Sequence, residues 1–211
     1  LAEKDRINTF IVVGYYTLNT LYEDQATKFI ASLKKYDIPH HVEAIESLGC
    51  WYSNTGYKPT FLKKMLEKFP DTNIVYVDCD AEFFAYPVLF ENLNCNVGVH
   101  YFDRSLHNKR FSKSNKIINK YEVLSGTIFL QNNKKVYDLI KRWEHRCQVR
   151  PYVWDQKSLA DVLQGEFYNL PAEYCAIFDM MDHIENPVIV HYQASRKVRE
   201  NKGKLKMKKP R

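Results

Sequence analysis

Apolar residues recur along the chain in two alternating rhythms, short unbroken runs and helical spacings, and the order of these elements is informative before any single residue is. Thr9 to Val13 is a short, β-rich apolar run closed by Gly14, and it predicts a buried strand. From Glu23 to Tyr36 the apolar positions Ala26, Phe29, Ile30 and Leu33 follow helical spacing, with lysines on the opposite face. Pro39 ends this unit, and His41 to Ile45 predicts a second strand. Thr60 to Phe69 repeats the helical pattern through Phe61, Leu62, Met65, Leu66 and Phe69, entered through Pro59 at a first-turn position. Pro70-Asp71 breaks it, and Ile74 to Val77 is a fully apolar strand. Val97 to Tyr101 and Ile128 to Leu130 predict further strands, Val136 to Cys147 an amphipathic helix and Lys157 to Leu163 a shorter one.

The order βαβαβ, followed by mixed strands and helices, predicts an α/β fold with a largely parallel sheet. Ligands of such sheets bind beyond the carboxyl ends of the strands, so residues just after a strand carry the most functional weight. The chain has 211 residues, 45% apolar and 27% charged, which is ordinary globular composition. A chain of this size buries roughly 70% of its unfolded surface, enough for a core and a deep cleft in one domain. No window approaches the ~18 consecutive apolar residues of a membrane-spanning helix.

The net charge of +6 is unevenly placed. Residues 196 to 211 hold nine Lys/Arg against one Glu, leaving 22 Lys/Arg against 24 Asp/Glu in the rest. Basicity is therefore a property of the tail, and the body is not expected to bind nucleic acid. The body is taken as 1–198 and the tail as 199–211, a solvated end, an anchor for an anionic surface or a linker to a further domain. Beginning at Leu1 and ending in this tail, the chain reads as a piece of a longer polypeptide. Five cysteines at 50, 79, 95, 147 and 175 are odd in number and never spaced as CxxC. That argues for a reducing compartment, and a cytoplasmic location is expected.

The sharpest chemical feature is Ile74-Val75-Tyr76-Val77-Asp78-Cys79-Asp80, in which an apolar strand delivers two carboxylates one residue apart. If the strand continues through them, period two points both to the same side. Two like charges that close repel unless a cation offsets them. Mn²⁺ or Mg²⁺, held by carboxylates and substrate phosphates, fits such a pair; a pair of turn or capping aspartates is the alternative. The sequence has no GxxxxGK(S/T) phosphate loop and no GxGxxG after the first strand. A DxDx(T/V) phosphatase motif is not matched either, because Ala81-Glu82 follows the aspartates.

Tyr57-Lys58-Pro59 before a helix and then VYVDCDAEF resemble the GT-A-fold nucleotide-sugar glycosyltransferases, whose DxD holds the metal on a sugar-nucleotide diphosphate. Three more segments follow in that family's order. Ser125-Gly126-Thr127-Ile128-Phe129-Leu130 is similar to the strand beneath the donor sugar. Trp154-Asp155-Gln156 is similar to the DQ pair of retaining members. His191-Tyr192-Gln193-Ala194-Ser195-Arg196-Lys197-Val198 resembles the HxxGxxKP segment of family-8-type enzymes, virus-encoded ones included, with Ala194 for the Gly and Val198 for the Pro.

The resemblance implies a single GT-A domain with a mixed, mostly parallel sheet flanked by helices. It implies a UDP-sugar donor, a glycan or glycoprotein acceptor and Mn²⁺ or Mg²⁺ held by Asp78, Asp80 and His191. Lys197 and Lys58 would face the diphosphate, Gly14, Tyr15, Tyr16 and Thr17 the nucleotide base. Cys79 lies within the donor-binding DxD, and Ser125 and Gly126 lie under the donor sugar. Asp155 would orient the sugar hydroxyls and Gln156 support the anomeric centre. No carboxylate stands out as a base for the acceptor, which suits retention. Trp51, Tyr52 and Trp154 read either as core aromatics or as stacking platforms for an acceptor sugar. Two other readings stay open: a non-catalytic sugar-nucleotide or carbohydrate-binding module, and a metal-dependent phosphatase or nuclease.

Overall fold

The computed structural model describes residues 9–103, 121–181 and 183–194. Strand β1 (Phe10–Thr17) leads to helix α1 (Leu21–Lys35). The Thr20 hydroxyl accepts from Tyr22 N at its start, with Glu23 and Asp24 in the first turn and Lys34 and Lys35 in the last, so both ends complement the helix dipole. After β2 (His40–Ile45) come a short helix α2 (Trp51–Gly56) and then α3 (Lys58–Lys68), with Pro59 in its first turn, where a missing N–H costs nothing. Strand β3 (Asn73–Val77) is followed by β4 (Ala81–Phe83), α4 (Leu89–Asn92), β5 (Val97–Asp103) and β6 (Tyr121–Leu130). Helix α5 (Lys134–Val149) is capped by the Asn133 side chain, which accepts from Val136 N. The remaining elements are α6 (Asp155–Leu163), β7 (Tyr168–Asn169), β8 (Ala176–Ile177) and β9 (Ile189–His191).

Six strands form the main sheet in the order β2-β1-β3-β6-β5-β7. β1 runs parallel to both β2 and β3, and β7 parallel to β5, while β6 is antiparallel to β3 and β5. The mixed, mostly parallel sheet flanked by helices is thus as expected, with β6 alone running against its neighbours. Alternation along each apolar run divides its residues between two cores. Val13, Tyr15, Ile74, Tyr76, Ile128 and Leu130 pack on α3, α5 and α6. Phe10, Val12, Val75, Val77 and Phe129 face α1 and a second, three-stranded sheet ordered β4-β9-β8. No helix among the described residues is long and apolar enough to cross a membrane.

Two strand boundaries differ from the sequence expectation and a third, the end of β3, agrees with it, each in a way that matters for function. β1 does not end at Val13 but continues through Thr17, because six successive residues from Val12 to Thr17 pair with β2. Gly14 is therefore a mid-strand glycine rather than the first loop residue. Its missing side chain makes room for a close neighbour, since a Cβ there would stand 2.8 Å from the Val77 carbonyl and 3.0 Å from Cys79 Sγ. The third strand, by contrast, stops at Val77, and Asp78 and Asp80 lie in a turn closed by Ala81 N donating to the Asp78 carbonyl at 3.1 Å. Finally, β6 begins at Tyr121, well before the predicted Ile128.

The chain leaves β1 for β2 on one side and then crosses to β3 on the other. That reversal makes the crevice between the carboxyl ends of β1 and β3 the sheet's switch point, where open α/β sheets bind ligands. Gly14→Ala should lower stability by about 1–3 kcal/mol, as overpacking against backbone does. Urea unfolding measures it, and an unchanged midpoint would show that the β1–β3 contact is not tight.

Candidate functional site

Five elements deliver side chains to the switch point. Asp78 follows β3 directly, and its N–H donates to the Gly126 carbonyl of β6 at 2.8 Å. The turn then feeds β4, which pairs antiparallel with β9 so that Ala81 stands opposite His191. Two further bonds tie this end together: Tyr192 N donates to the Asp80 carbonyl at 2.8 Å, and Ala194 N donates to Asp80 Oδ2 at 2.8 Å. Lys58 and Asp155 are the first residues of α3 and α6, so two helix N-termini also converge here.

Lys58 is the centre of the arrangement, only 3% exposed. Its Nζ lies 2.8 Å from Asp155 Oδ2 and 3.1 Å from Asp78 Oδ1, and it donates to the Ser125 carbonyl at 3.0 Å. The Ser125 hydroxyl donates in turn to Asp155 Oδ2 at 3.0 Å, and the Tyr76 hydroxyl to Asp78 Oδ1 at 2.8 Å. Burial alone would lower the ammonium's pKa, but the carboxylates of Asp155 and Asp78 hold it above the ordinary lysine value. Lys58 therefore stays charged at neutral pH. Its donors are already used by protein acceptors, so this lysine fixes two carboxylates in place rather than waiting as a spare charge for a diphosphate.

Asp80 is partly buried, and burial together with the neighbouring Asp78 pushes its carboxyl up to about 7. His191 is buried; burial and the Lys58 charge lower it to about 4, which keeps the imidazole neutral. Its Nε2 is 2.8 Å from Thr127 Oγ1. Among the described residues no three His, Cys, Asp or Glu side chains stand together as a ready-made metal site. Asp78 leans on Lys58, Asp80 on Ala194 N, and His191 on Thr127. The donor set nevertheless fits a hard or borderline cation, two carboxylates and a neutral imidazole. Gly126 supplies the space, because a Cβ there would stand 3.1 Å from His191 Nδ1 and 3.5 Å from Asp78 Oδ2. Those two atoms face one small hollow that any larger residue would fill.

A cavity of about 710 Å³ gathers most of the residues expected from the sequence. Asp78, Cys79, Asp80, Lys58, Ser125, Gly126, Asp155, Gln156 and His191 all line it, as do Tyr15, Tyr16 and Thr17 at the end of β1. Gly14 is not among its lining residues, for the reason given above. Tyr15 is mostly a core residue, its hydroxyl donating to the Asn54 carbonyl at 2.7 Å and its ring set edge-on to Tyr57. Asp155 does not cap α6 by side chain, its carboxylate being held by Lys58 and Ser125. Lys197 and the tail 199–211 lie outside the described residues. Sequence reasoning missed Glu122, which lines the cavity and accepts from Gln156 Nε2, while Gln156 Oε1 accepts from Ser125 N at 3.3 Å. The signal was present: Glu122, Leu124 and Gly126 share one face of a strand by period two, upstream of the recognised Ser125-Gly126 pair.

A family profile described as nucleotide-diphospho-sugar transferase matches residues 32–207, which is well over half of the chain. The chain belongs to the nucleotide-diphospho-sugar transferase family. Solved structures agree on the fold. A glycosyltransferase involved in glycosylation of the major capsid of PBCV-1 is 17% identical, with a TM-score of 0.66 over 92% of this chain and 98% of the other. The apo form of GlyE from Streptococcus pneumoniae TIGR4 is 12% identical, with a TM-score of 0.59 over 89% of this chain and 55% of the other. The galactosyltransferase LgtC, in complex with donor and acceptor sugar analogues, is 10% identical, with a TM-score of 0.53 over 88% and 87%. At these identities the likeness establishes the GT-A fold of the transferase. No curated protein sequence matches it.

Lys58→Met in this transferase removes the cation and leaves Asp155 buried without a counter-charge. Breaking such a pair costs about 3–5 kcal/mol. Chemical denaturation should show the loss, and a change below about 1 kcal/mol would mean that the cluster does not hold the site together.

Proposed function

We propose that this transferase moves a sugar from a UDP-sugar to a glycan or glycoprotein acceptor, with Mn²⁺ or Mg²⁺ and with retention at the anomeric carbon. The observation that carries the reading is the charge balance at the switch point. Asp78, Asp80 and Asp155 face a single buried ammonium, Lys58, and Glu122 adds a further carboxylate to the cavity wall. Such a cavity repels a diphosphate unless a cation reverses its sign. Asp78, Asp80 and His191 would hold that cation, which when bound neutralises the charge growing on the departing nucleoside diphosphate.

The chain's own groups do the rest. Lys58 and the Ser125 hydroxyl fix one oxygen of Asp155, leaving its other oxygen to accept from a hydroxyl of the donor sugar. Gln156 is held at both ends of its amide, by Ser125 N and by Glu122, and presents a fixed dipole to the anomeric centre. Asp155 and Glu122 are both engaged, so neither serves as a base for the acceptor. The acceptor proton passes instead to the leaving phosphate oxygen as the bond from C1 to that oxygen breaks and the bond from C1 to the acceptor oxygen forms. This front-face course keeps the anomeric configuration. Tyr16 and Thr17 at the end of β1 would meet the base, and Lys197 would supply a positive charge to the diphosphate. Five free cysteines suit work in the reducing cytoplasm.

Calorimetric titration with UDP and a set of UDP-sugars, in Mn²⁺ and in EDTA, tests this reading. Binding should need the metal, weaken at least tenfold in EDTA and be lost in the Asp78→Asn, Asp80→Asn double variant. NMR of the first-formed product should show the donor's anomeric configuration. Equal binding in EDTA would remove the metal from the account, and no binding of any UDP compound would overturn the donor.

A further inference from the structure

The chain has three tryptophans, and only one is spent on the core. Trp143 of α5 is fully buried, and its indole N–H donates to the Asp155 carbonyl at 3.0 Å. Trp51 and Trp154 belong to none of the apolar core clusters of the described residues, and both line the cavity instead. Trp51 opens α2, a helix that buries none of its residues. Its ring lies 6.5 Å from that of Trp154 at an interplanar angle of 62°, and 5.2 Å from that of Tyr52 at 76°. Trp154 is 36% exposed and Tyr52 41% exposed. Trp51 and Trp154 thus stand in the cavity wall, and the exposed Tyr52 ring, which does not line the cavity, packs edge-on beside Trp51. Apolar ring area gathered in a cavity wall is open to a ligand.

We infer that Trp51, Tyr52 and Trp154 form the acceptor subsite and that the acceptor is a neutral saccharide, one pyranose ring of which stacks on these rings. The inference rests on the proposed donor reading. A pyranose has an apolar face of C–H groups and a polar rim, and it suits an aromatic platform bordered by polar groups. Asn54 and Thr55, one turn along α2, line the cavity beside the rings. The anionic cavity disfavours an acidic acceptor, since like charges at short range repel. Trp154 decides between an acceptor sugar and the nucleotide base, because α2 also borders β1 through the bond from the Tyr15 hydroxyl to the Asn54 carbonyl. Trp154 immediately precedes Asp155 and Gln156, the residues assigned to the donor sugar, and the Trp143 bond to the Asp155 carbonyl fixes their spacing. The base end is assigned to Tyr16 and Thr17 on β1. A saccharide on the rings would therefore present its hydroxyl next to the donor's anomeric carbon. Aromatic side chains also lose little conformational entropy on binding, which makes them efficient anchors.

The test begins with UDP titration in Mn²⁺, which reads the donor site by itself. The protein loaded with UDP and Mn²⁺ is then applied to a printed panel of neutral and acidic glycans, and the strongest hit is titrated by tryptophan fluorescence. Neutral saccharides should be captured in preference to acidic ones. Trp51→Ala and Trp154→Ala should weaken binding of the hit about tenfold or more. Trp154→Phe, which keeps a ring, should retain most of it, and Tyr52→Ala, an exposed position where folding is not at stake, should lose severalfold. UDP affinity should stay within about twofold in all four variants. The inference is overturned if no saccharide is captured while UDP still binds, if only acidic glycans are captured, or if the variants bind the hit as the parent does. It is also overturned if UDP affinity falls in step with saccharide affinity, because the rings would then be stacking on the base. Failure of the parent to bind UDP overturns the donor reading first and takes this inference with it.

Discussion

The buried ammonium of Lys58 is the interaction on which the rest of the site depends. It stands at the first position of a helix, where the macrodipole already favours negative charge, and there it holds one carboxylate from the end of β3 and another from the start of α6. A lysine at that end of a helix is unfavourable by itself. Its presence is accounted for by Asp78 and Asp155, and the burial of Asp155 is tolerable because of it. One ion-pair cluster thus fixes the distance between the two ends of the cavity, the DxD turn and the Asp155-Gln156 pair. Ser125 completes the link, since both its carbonyl and its hydroxyl join the same network.

Long-range pairing does for His191 what Lys58 does for the aspartates. β4 and β9 are three residues each and would not persist alone, yet their antiparallel register sets Ala81 against His191 and so brings the imidazole to the DxD turn. Bonds from Tyr192 N and Ala194 N to Asp80 extend the same pairing. The main sheet supplies the crevice, and the small sheet supplies its far wall. Neither makes the site without the other.

Much of this was legible in the sequence, and the parts that were not share a physical cause. Strong periodicity marked α1, α3 and α5, and the unbroken apolar run marked β3. Local hydrophobicity also set the order of the elements, hence the α/β class. The DxD stood out because an apolar strand delivers two neighbouring carboxylates, and the Ser-Gly, Asp-Gln and His segments stood out through the resemblance to the GT-A family. Boundaries were lost wherever tertiary pairing overrode local pattern. Gly14 looked like a strand end, but pairing with β2 carries β1 on to Thr17. Glu122 lay ahead of the strand read from Ile128, although β6 begins at Tyr121, where its pairing with β5 starts. Lys58 was expected to face the diphosphate, not to be buried among carboxylates. Its burial follows from partners at positions 78, 125 and 155, which no local window contains.

The features that fit folding least well are the ones that bear on chemistry. Three carboxylates around one ammonium leave Asp80 short of a counter-charge, so that burial and Asp78 raise its carboxyl to about 7. Two indoles hold apolar area in the cavity wall, with the exposed Tyr52 ring packed beside one of them, where α2 buries nothing. A sequence selected for stability alone would replace Asp80 by a neutral residue and move the aromatics inward. Both departures occur in one cavity, at the switch point of the sheet and on either side of the Lys58 cluster. The charge imbalance calls for a cation and an anionic ligand on one side, and the open rings call for an amphipathic ring on the other. A transferase needs both ligands at once, with the reacting carbon between them, and the rigid Lys58–Asp155 link is what keeps those two demands at a fixed separation.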